Sequence, residues 1–375
     1  MKTRVLILAE PGDVHTLAVV LALESKGVEV CTWYTSAFPS RSLESALFEG
    51  GKQEVLLGGI SHSGVVHAEV DAVWRRRPSH ILDEGLLHPA DRKFAERECL
   101  AFRRSLLRVL SPDAFWVNPP DAAVGAGRKL VQHSVAVDCG LSMPDTLYSN
   151  DPQEIRSFLR RHGGEIAYKG LQGGSWHDQE KTWLLYTSVL REDQLVPDEL
   201  LRLTPGIYQA LVPKAYELRV TMMGRRAFAA KIRSQETQAG KLDWRKSYGE
   251  LKMEPATLPG EVVGKCCALL DKLGLVFGCF DFIVTPQGEY VFLEVNEMGQ
   301  FLFVETACGL PLLDAFGEFL FQGRVDFEWD EDRVGIRYPE IREEALARAA
   351  LEADLYPVPP ERSSYEGVPA STPAG

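Results

Sequence analysis

Residues 280–301, FDFIVTPQGEYVFLEVNEMGQF, constrain the fold more than any other part of the chain. Two β-rich apolar runs flank a turn at Pro286-Gln287-Gly288, which predicts a hairpin of strands over 278–285 and 290–295. Strands of this kind bury their side chains, yet Asp281 and Glu294 lie inside them, where an unpaired carboxylate is costly. Glu294 and Asn296 are two residues apart and share a face, and Asp281 comes within cross-strand reach if the hairpin is regular. One reading is a solvated strand face. The other is three hard oxygen donors with open positions, a set that suits magnesium, which keeps waters and takes phosphate oxygens. The apolar surroundings favour the metal.

The hairpin belongs to a longer alternating chain. At 375 residues, and about 150 residues per domain, two or three domains are expected. A strand over 4–8, a helix over 13–25 capped by Asp13 and a strand over 28–34 open an α/β layer. A strand over 68–74, a helix over 91–110 and a strand over 114–117 continue it, giving an N-terminal α/β domain over 1–120. A capped helix over 121–138, a strand over 143–148 and a helix from 151 begin a central domain over 121–205. Strands over 206–212 and 217–223, a helix over 260–273, the hairpin and a helix over 312–321 form a C-terminal domain over 206–325. The class is α/β, turning to α+β in the C-terminal half. Residues 326–375 read as an acidic, Pro-rich tail with a helix over 340–355 and disorder beyond it.

Charge and cysteine usage narrow the functions. The formal net charge is −12, and residues 326–375 hold twelve acidic and five basic side chains, so −7 of it sits in the tail. The remaining body is nearly neutral and offers no global attraction to nucleic acid. Apolar runs stay short of 18 residues, and that in residues 1–10 is too short for a signal-peptide core, so neither a membrane span nor export is expected. The seven cysteines are odd in number and lack any CxxC spacing. They read as reduced, with Cys266, Cys267 and Cys279 as small core hydrophobes, in a cytoplasmic protein.

Three further elements carry chemistry. Lys169 closes a strand before a loop with Gly170, Gly173 and Gly174; glycines admit backbone N–H groups to an anion and lysine adds a point charge, although a lysine beside a glycine turn is more often just a turn. Lys129, in GAGRK at 125–129, lacks a preceding strand and by default is solvated on its helix. In YQALVPKAYELRVTMMG (208–224) and AAKIRSQ (229–235), Glu217 and Arg219 share a face, as do Lys231 and Arg233 on the next strand. Those four form either a salt-bridged surface or a cationic site for charge developing in phosphoryl or acyl transfer.

The order Lys129, Lys169 with its glycines, residues 208–212, Arg219, then Asp281, Glu294 and Asn296 resembles the ATP-grasp fold of carboxylate-amine ligases. VWRRRP (73–78), the 208–224 and 229–235 segments, LDWR (242–245) and FLEVNEMGQFLFVE (292–305) are similar to the graspetide, microviridin-type peptide maturases, over residues 1–323. The resemblance implies an N-terminal pre-ATP-grasp domain, a central domain and a C-terminal ATP-grasp domain, with ATP and Mg2+ as cofactors. It implies that Lys129, Lys169, Gly173 and Gly174 contact phosphates and that Gln209, Leu211 and Val212 lie at the adenine. Ala210 stands where relatives often carry an acid, so Glu217 takes up that contact. Asp281, Glu294 and Asn296 would hold magnesium, and Arg219 and Arg233 would be the catalytic cations. The implied reaction phosphorylates Asp or Glu side chains of a ribosomal precursor peptide and closes ω-ester or ω-amide links. A ligase that adds a free amino acid or small amine to a peptide or small acid is the alternative. The implied partner is a precursor peptide whose leader docks on 182–190 and 193–203, and the protein is expected to be a homodimer.

Overall fold

Strand β1 (Arg4–Ala9) is apolar at consecutive positions because both its faces are covered. In the computed structural model, which describes residues 2–58, 70–76, 78, 85, 87–172, 175–177, 182–184, 187–238, 240–247 and 251–356, β1 pairs in parallel with β2 (Glu29–Tyr34). Between them runs helix α1 (Val14–Ser25), capped as expected by Asp13, which accepts from the His15 N–H at 2.9 Å. A hairpin of β3 (Glu44–Glu49) and β4 (Lys52–Leu57), without a clear trace in the sequence pattern, precedes β5 (Ala72–Arg75). Helix α2 (Arg92–Val109) then leads to β6 (Phe115–Val117), completing a parallel sheet in the order β2-β1-β5-β6. Val5 and Ile7 pack toward α1, while Leu6 and Leu8 pack toward Leu106 and Leu107 of α2.

The helix expected over 121–138 is two helices, α3 (Pro120–Ala126) and α4 (Lys129–Asp138). The Gly127 N–H closes α3 onto Ala123 O at 2.9 Å, and the chain restarts with Lys129 in the first turn of α4 rather than inside a helix. Next come β7 (Thr146–Ser149), α5 (Pro152–Arg161), β8 (Glu165–Lys169), β9 (Ser175–His177), β10 (Thr182–Leu184), β11 (Ser188–Arg191), α6 (Asp198–Leu203) and β12 (Gly206–Ala210). The segment 182–190, expected to dock a leader, holds two strands: β10 pairs with β9, and β11 joins an antiparallel sheet ordered β11-β8-β12-β7. Ile155, Leu159, Ile166 and Tyr208 form the core beneath that sheet.

The third sheet, antiparallel in the order β15-β14-β13-β16-β17, comprises β13 (Tyr216–Met223), β14 (Arg226–Ile232), β15 (Met253–Ala256), β16 (Phe277–Val284) and β17 (Tyr290–Asn296). Helix α7 (Gly260–Leu273) covers one face, where Cys266 and Leu269 meet Phe280, Phe282 and Phe292. On the other face Met223, Ala230, Phe277 and Cys279 share a core with α1 and with α9 (Leu312–Gln322), which follows α8 (Leu302–Cys308). Trp74 is core, 5.1 Å from the Phe316 ring. Asn118 joins the N-terminal layer to this sheet: its Oδ1 accepts from the Val276 and Phe277 N–H groups at 2.8 and 2.9 Å.

Register corrects one expectation. Lys231 stands opposite Leu218, whereas Glu217 and Arg219 stand opposite Ile232 and Ala230. Side chains directly across a ladder share a face, so Lys231 points away from Glu217 and Arg219. The chain ends its described course in α10 (Tyr338–Leu355), which packs Ala345 and Ala349 against α1; the disorder expected beyond it falls on residues 357–375, outside the described residues. Among the described residues no helix is long and apolar enough to cross a membrane.

Candidate active site

A β-bulge sets the geometry of the hairpin. Asp281 pairs with Glu294 and Cys279 with Asn296, but Phe282 pairs with Phe292, leaving Leu293 extra on β17. The extra residue lets both Phe292 and Val295 reach the core while Glu294 and Leu293 face a cavity of about 310 Å3. The expected convergence therefore holds: Asp281 and Glu294 are directly opposed, and the Asn296 Nδ2 donates to the Asp281 carboxylate at 3.1 Å.

Cations reach these carboxylates from three other elements. Lys129 Nζ lies 2.8 Å from Glu294 Oε2. A lysine in the first helical turn faces the positive end of the helix dipole, an unfavourable position that Glu294 offsets. Gln132 fixes the restart of the helix over β17, donating to Ala126 O at 2.6 Å and Val295 O at 2.8 Å. Arg219 Nη1, from β13, donates to both Asp281 oxygens at 3.0 and 2.9 Å, and its Nη2 donates to Gln300 O at 3.2 Å. Gly299 permits that approach, since a Cβ there would lie 2.6 Å from Cys279 Sγ and 3.0 Å from Arg219 Nη2. Lys169, at the end of β8, lines the same cavity.

Burial raises Glu294, but Lys129, Lys169 and Arg245 outweigh it and hold the carboxyl at about 2. Lys169 shows the opposite balance. Burial pushes it down to about 8, with Lys129, Arg245 and Lys214 adding to the effect and Glu294 resisting it. Five cations, Lys129, Lys169, Lys214, Lys241 and Arg245, line the cavity against the carboxylates of Glu217, Asp243, Asp281 and Glu294.

Of the residues singled out in the sequence, Lys129, Lys169, Gln209, Leu211, Val212, Glu217, Asp281 and Glu294 line this cavity. Asn296 and Arg219 sit behind it, bonded to Asp281. Gln209 is held by its own sheet, donating to Thr146 Oγ1 at 3.0 Å. Arg233 is not brought here. It leaves β14 past its last residue, pairs with Glu254 at 2.9 Å, and lines a second cavity. Gly173 and Gly174 lie outside the described residues. Lys214 and Arg245 went unassigned in the sequence: Lys214 donates to Glu217 and to Leu242 O, each at 2.8 Å, and Asp243 grips Arg245 Nη2 at 2.6 Å. Their only sequence signal is membership of the 208–224 and LDWR segments.

The donor set fits a divalent cation that arrives with anionic oxygens: two opposed carboxylates and an amide, already balanced by cations, beside lysines suited to phosphate. Among the described residues no cluster of three His, Cys, Asp or Glu side chains forms a closed metal cage.

No family model matches the sequence, and no curated protein matches it. Solved structures do. An ATP-grasp ligase of Chryseobacterium gregarium, associated with ribosomal peptide modification and solved with ADP, a leader and a core peptide, is similar in fold. It is 24% identical, with a TM-score of 0.77 over 86% of this chain and 97% of that one. The macrocyclase MdnC of Microcystis aeruginosa, bound with its precursor peptide MdnA, is 29% identical with a TM-score of 0.74, over 85% of this chain and all of that one (100%). The macrocyclase MdnB of the same organism is 30% identical with a TM-score of 0.69, over 85% of this chain and 99% of that one.

Proposed function

The chain belongs to the ATP-grasp ligases of the graspetide, microviridin-type maturase family, and from that premise we propose that it activates Asp or Glu side chains of a ribosomal precursor peptide and closes ω-ester or ω-amide links. The observation that carries this is the opposed Asp281–Glu294 pair facing Lys129 and Lys169 across one cavity.

In this reading Lys129, Lys169, Gly173 and Gly174 hold the phosphates of ATP, with Lys214 and Arg245 adding charge. Gln209, Leu211 and Val212 flank the base, and Glu217, which accepts from Lys214 at 2.8 Å, meets the ribose. Asp281, Glu294 and Asn296 would hold Mg2+, which would supply neutralisation of the phosphate charge. Arg219 acts as a positioning residue, holding the Asp281 carboxylate in place, and Arg233 faces the acceptor side. A peptide carboxylate oxygen attacks the γ-phosphorus and ADP leaves. A hydroxyl or amine of the same peptide then attacks the acyl carbon, its proton is lost and phosphate departs. Acceleration arises from placing these groups together and from cations fixed before charge develops.

The proposed domain limits are 1–120, 121–205, 206–325 and 326–375. The leader docks on 182–190 and 193–203, where the exposed Leu200 and Leu203 of α6 support an apolar contact. A cytoplasmic homodimer completes the reading, supported by the exposed Leu43, Phe48 and Phe94 of the N-terminal layer. Hydroxylamine tests the activation step: with ATP, magnesium and a candidate precursor peptide it should trap an acyl phosphate as a side-chain hydroxamate. ATP consumption with no hydroxamate on any Asp or Glu would reject the mechanism.

A further inference from the structure

A second cavity, about 1100 Å3, adjoins the first. Residues of the two are in contact: Gln300 lines the second and its carbonyl accepts from Arg219, which sits behind the first, while Trp244 of the first stacks on Phe303 of the second at 5.7 Å. Sites for small ligands run to roughly 300–1,000 Å3, so this one has room for a peptide segment. Its acids already have cations: Arg76 lies 3.1 Å from Asp13, and Arg233 lies 2.9 Å from Glu254 and 3.2 Å from Glu236. Arg342 differs. It lines the cavity from α10, is exposed, and has no ion-pair partner among the described residues.

Helix α10 is built into the fold. Glu305, buried in α8, bridges two helix starts, its Oε2 accepting from the Leu313 N–H at 2.7 Å and its Oε1 from the Tyr338 N–H at 2.8 Å. The Gly12 N–H donates to Glu352 at 3.3 Å. The Microcystis macrocyclases are matched along nearly their whole length by 85% of this chain, and α10 follows residue 323, where the motifs that carry the sequence resemblance end.

We propose that α10 is a specificity wall, on which Arg342, beside Tyr338, receives an acidic side chain of the peptide substrate and so selects the stretch that enters the acyl-transfer site. This rests on the reading of the protein as a peptide ligase. A carboxylate next to an unpaired guanidinium at a cavity rim gains orientation and selectivity more than raw affinity.

The test uses the full-length protein and three fluorescein-labelled eight-residue peptides alternating Thr with Glu, Gln or Lys, with binding read by anisotropy. The wild type should prefer the Glu peptide to the Gln peptide. Arg342→Glu should weaken the Glu peptide about tenfold and strengthen the Lys peptide, and Arg342→Lys should restore most of the preference; a merely structural role would not produce this charge swap. An unchanged order of preference in Arg342→Glu, or no Glu preference in the wild type, overturns the proposal. ADP affinity of the same proteins separates the two levels: intact ADP binding with an unmoved preference refutes the α10 role alone, whereas a wild type that binds no ADP refutes the ligase reading and this proposal with it.

Discussion

Glu294 on β17 stands directly across the ladder from Asp281 on β16, yet the two carboxylates answer to different cations: Lys129 bonds Glu294 at 2.8 Å and Arg219 bonds Asp281 at 2.9 Å. The two balances differ: burial outweighs Arg219 and pushes the Asp281 carboxyl up, with Glu294 adding to it, whereas Lys129, Lys169 and Arg245 hold Glu294 at about 2. Glu294→Gln keeps the shape and removes the charge. ADP release should fall at least 100-fold, while thermal stability changes little because Lys129 keeps partial access to solvent. Activity within tenfold of wild type would remove Glu294 from the site.

Nucleotide affinity should depend on pH through Lys169. Its proton is held to about 8 in the free protein. Below that pH the ammonium is present and attracts phosphate; above it the free protein is neutral there and must take up a proton to bind. Affinity for ADP, measured by calorimetry across pH 7–10, should fall as pH rises through about 8, by up to tenfold per pH unit, with proton uptake on binding. Lys169→Met should bind weakly and flatten the dependence. A wild-type profile that stays flat would show that Lys169 does not face the phosphates.

Gly299 is expected to be intolerant of a side chain. Gly299→Ala places a methyl against Cys279 and the Arg219 guanidinium, and overpacking of this kind costs about 1–3 kcal/mol. Thermal unfolding should show the loss, and ADP release should drop further than stability alone explains, because Arg219 orients Asp281. A variant with wild-type stability and turnover would contradict this geometry.

Much of this architecture is legible in the sequence, and the exceptions have physical causes. Helices α1 and α7 and the β16–β17 hairpin announce themselves through a cap, a sustained apolar pattern and a Pro-Gln-Gly turn. The break between α3 and α4 does not, because both segments are helix-forming and Gln132 bridging to Val295 O is a long-range contact. Lys231 was expected beside Glu217 and Arg219, but which face a charged residue takes depends on a register that one strand alone does not encode. Lys214 and Arg245 escaped for a similar reason: they reach the cavity from segments whose approach is set by Leu242 O and Asp243.

Glu305 caps α9 and α10 at once. Each cap contributes about 1–2 kcal/mol, so Glu305→Ala should lower stability by about 2–4 kcal/mol. Amide exchange over 338–355 should speed up, with ADP affinity unchanged because neither helix borders the nucleotide cavity. Equal exchange in the variant and the wild type would mean that α10 is held by its apolar face alone.

The most direct measurement is ADP release by the purified protein with ATP, magnesium and candidate precursor peptides, paired with the mass of the peptide product. The account predicts release that depends on the peptide and on Glu294, with the peptide losing the mass of one water for each link. A peptide that instead gains an amino acid less one water, or ADP release without any change in peptide mass, would contradict it.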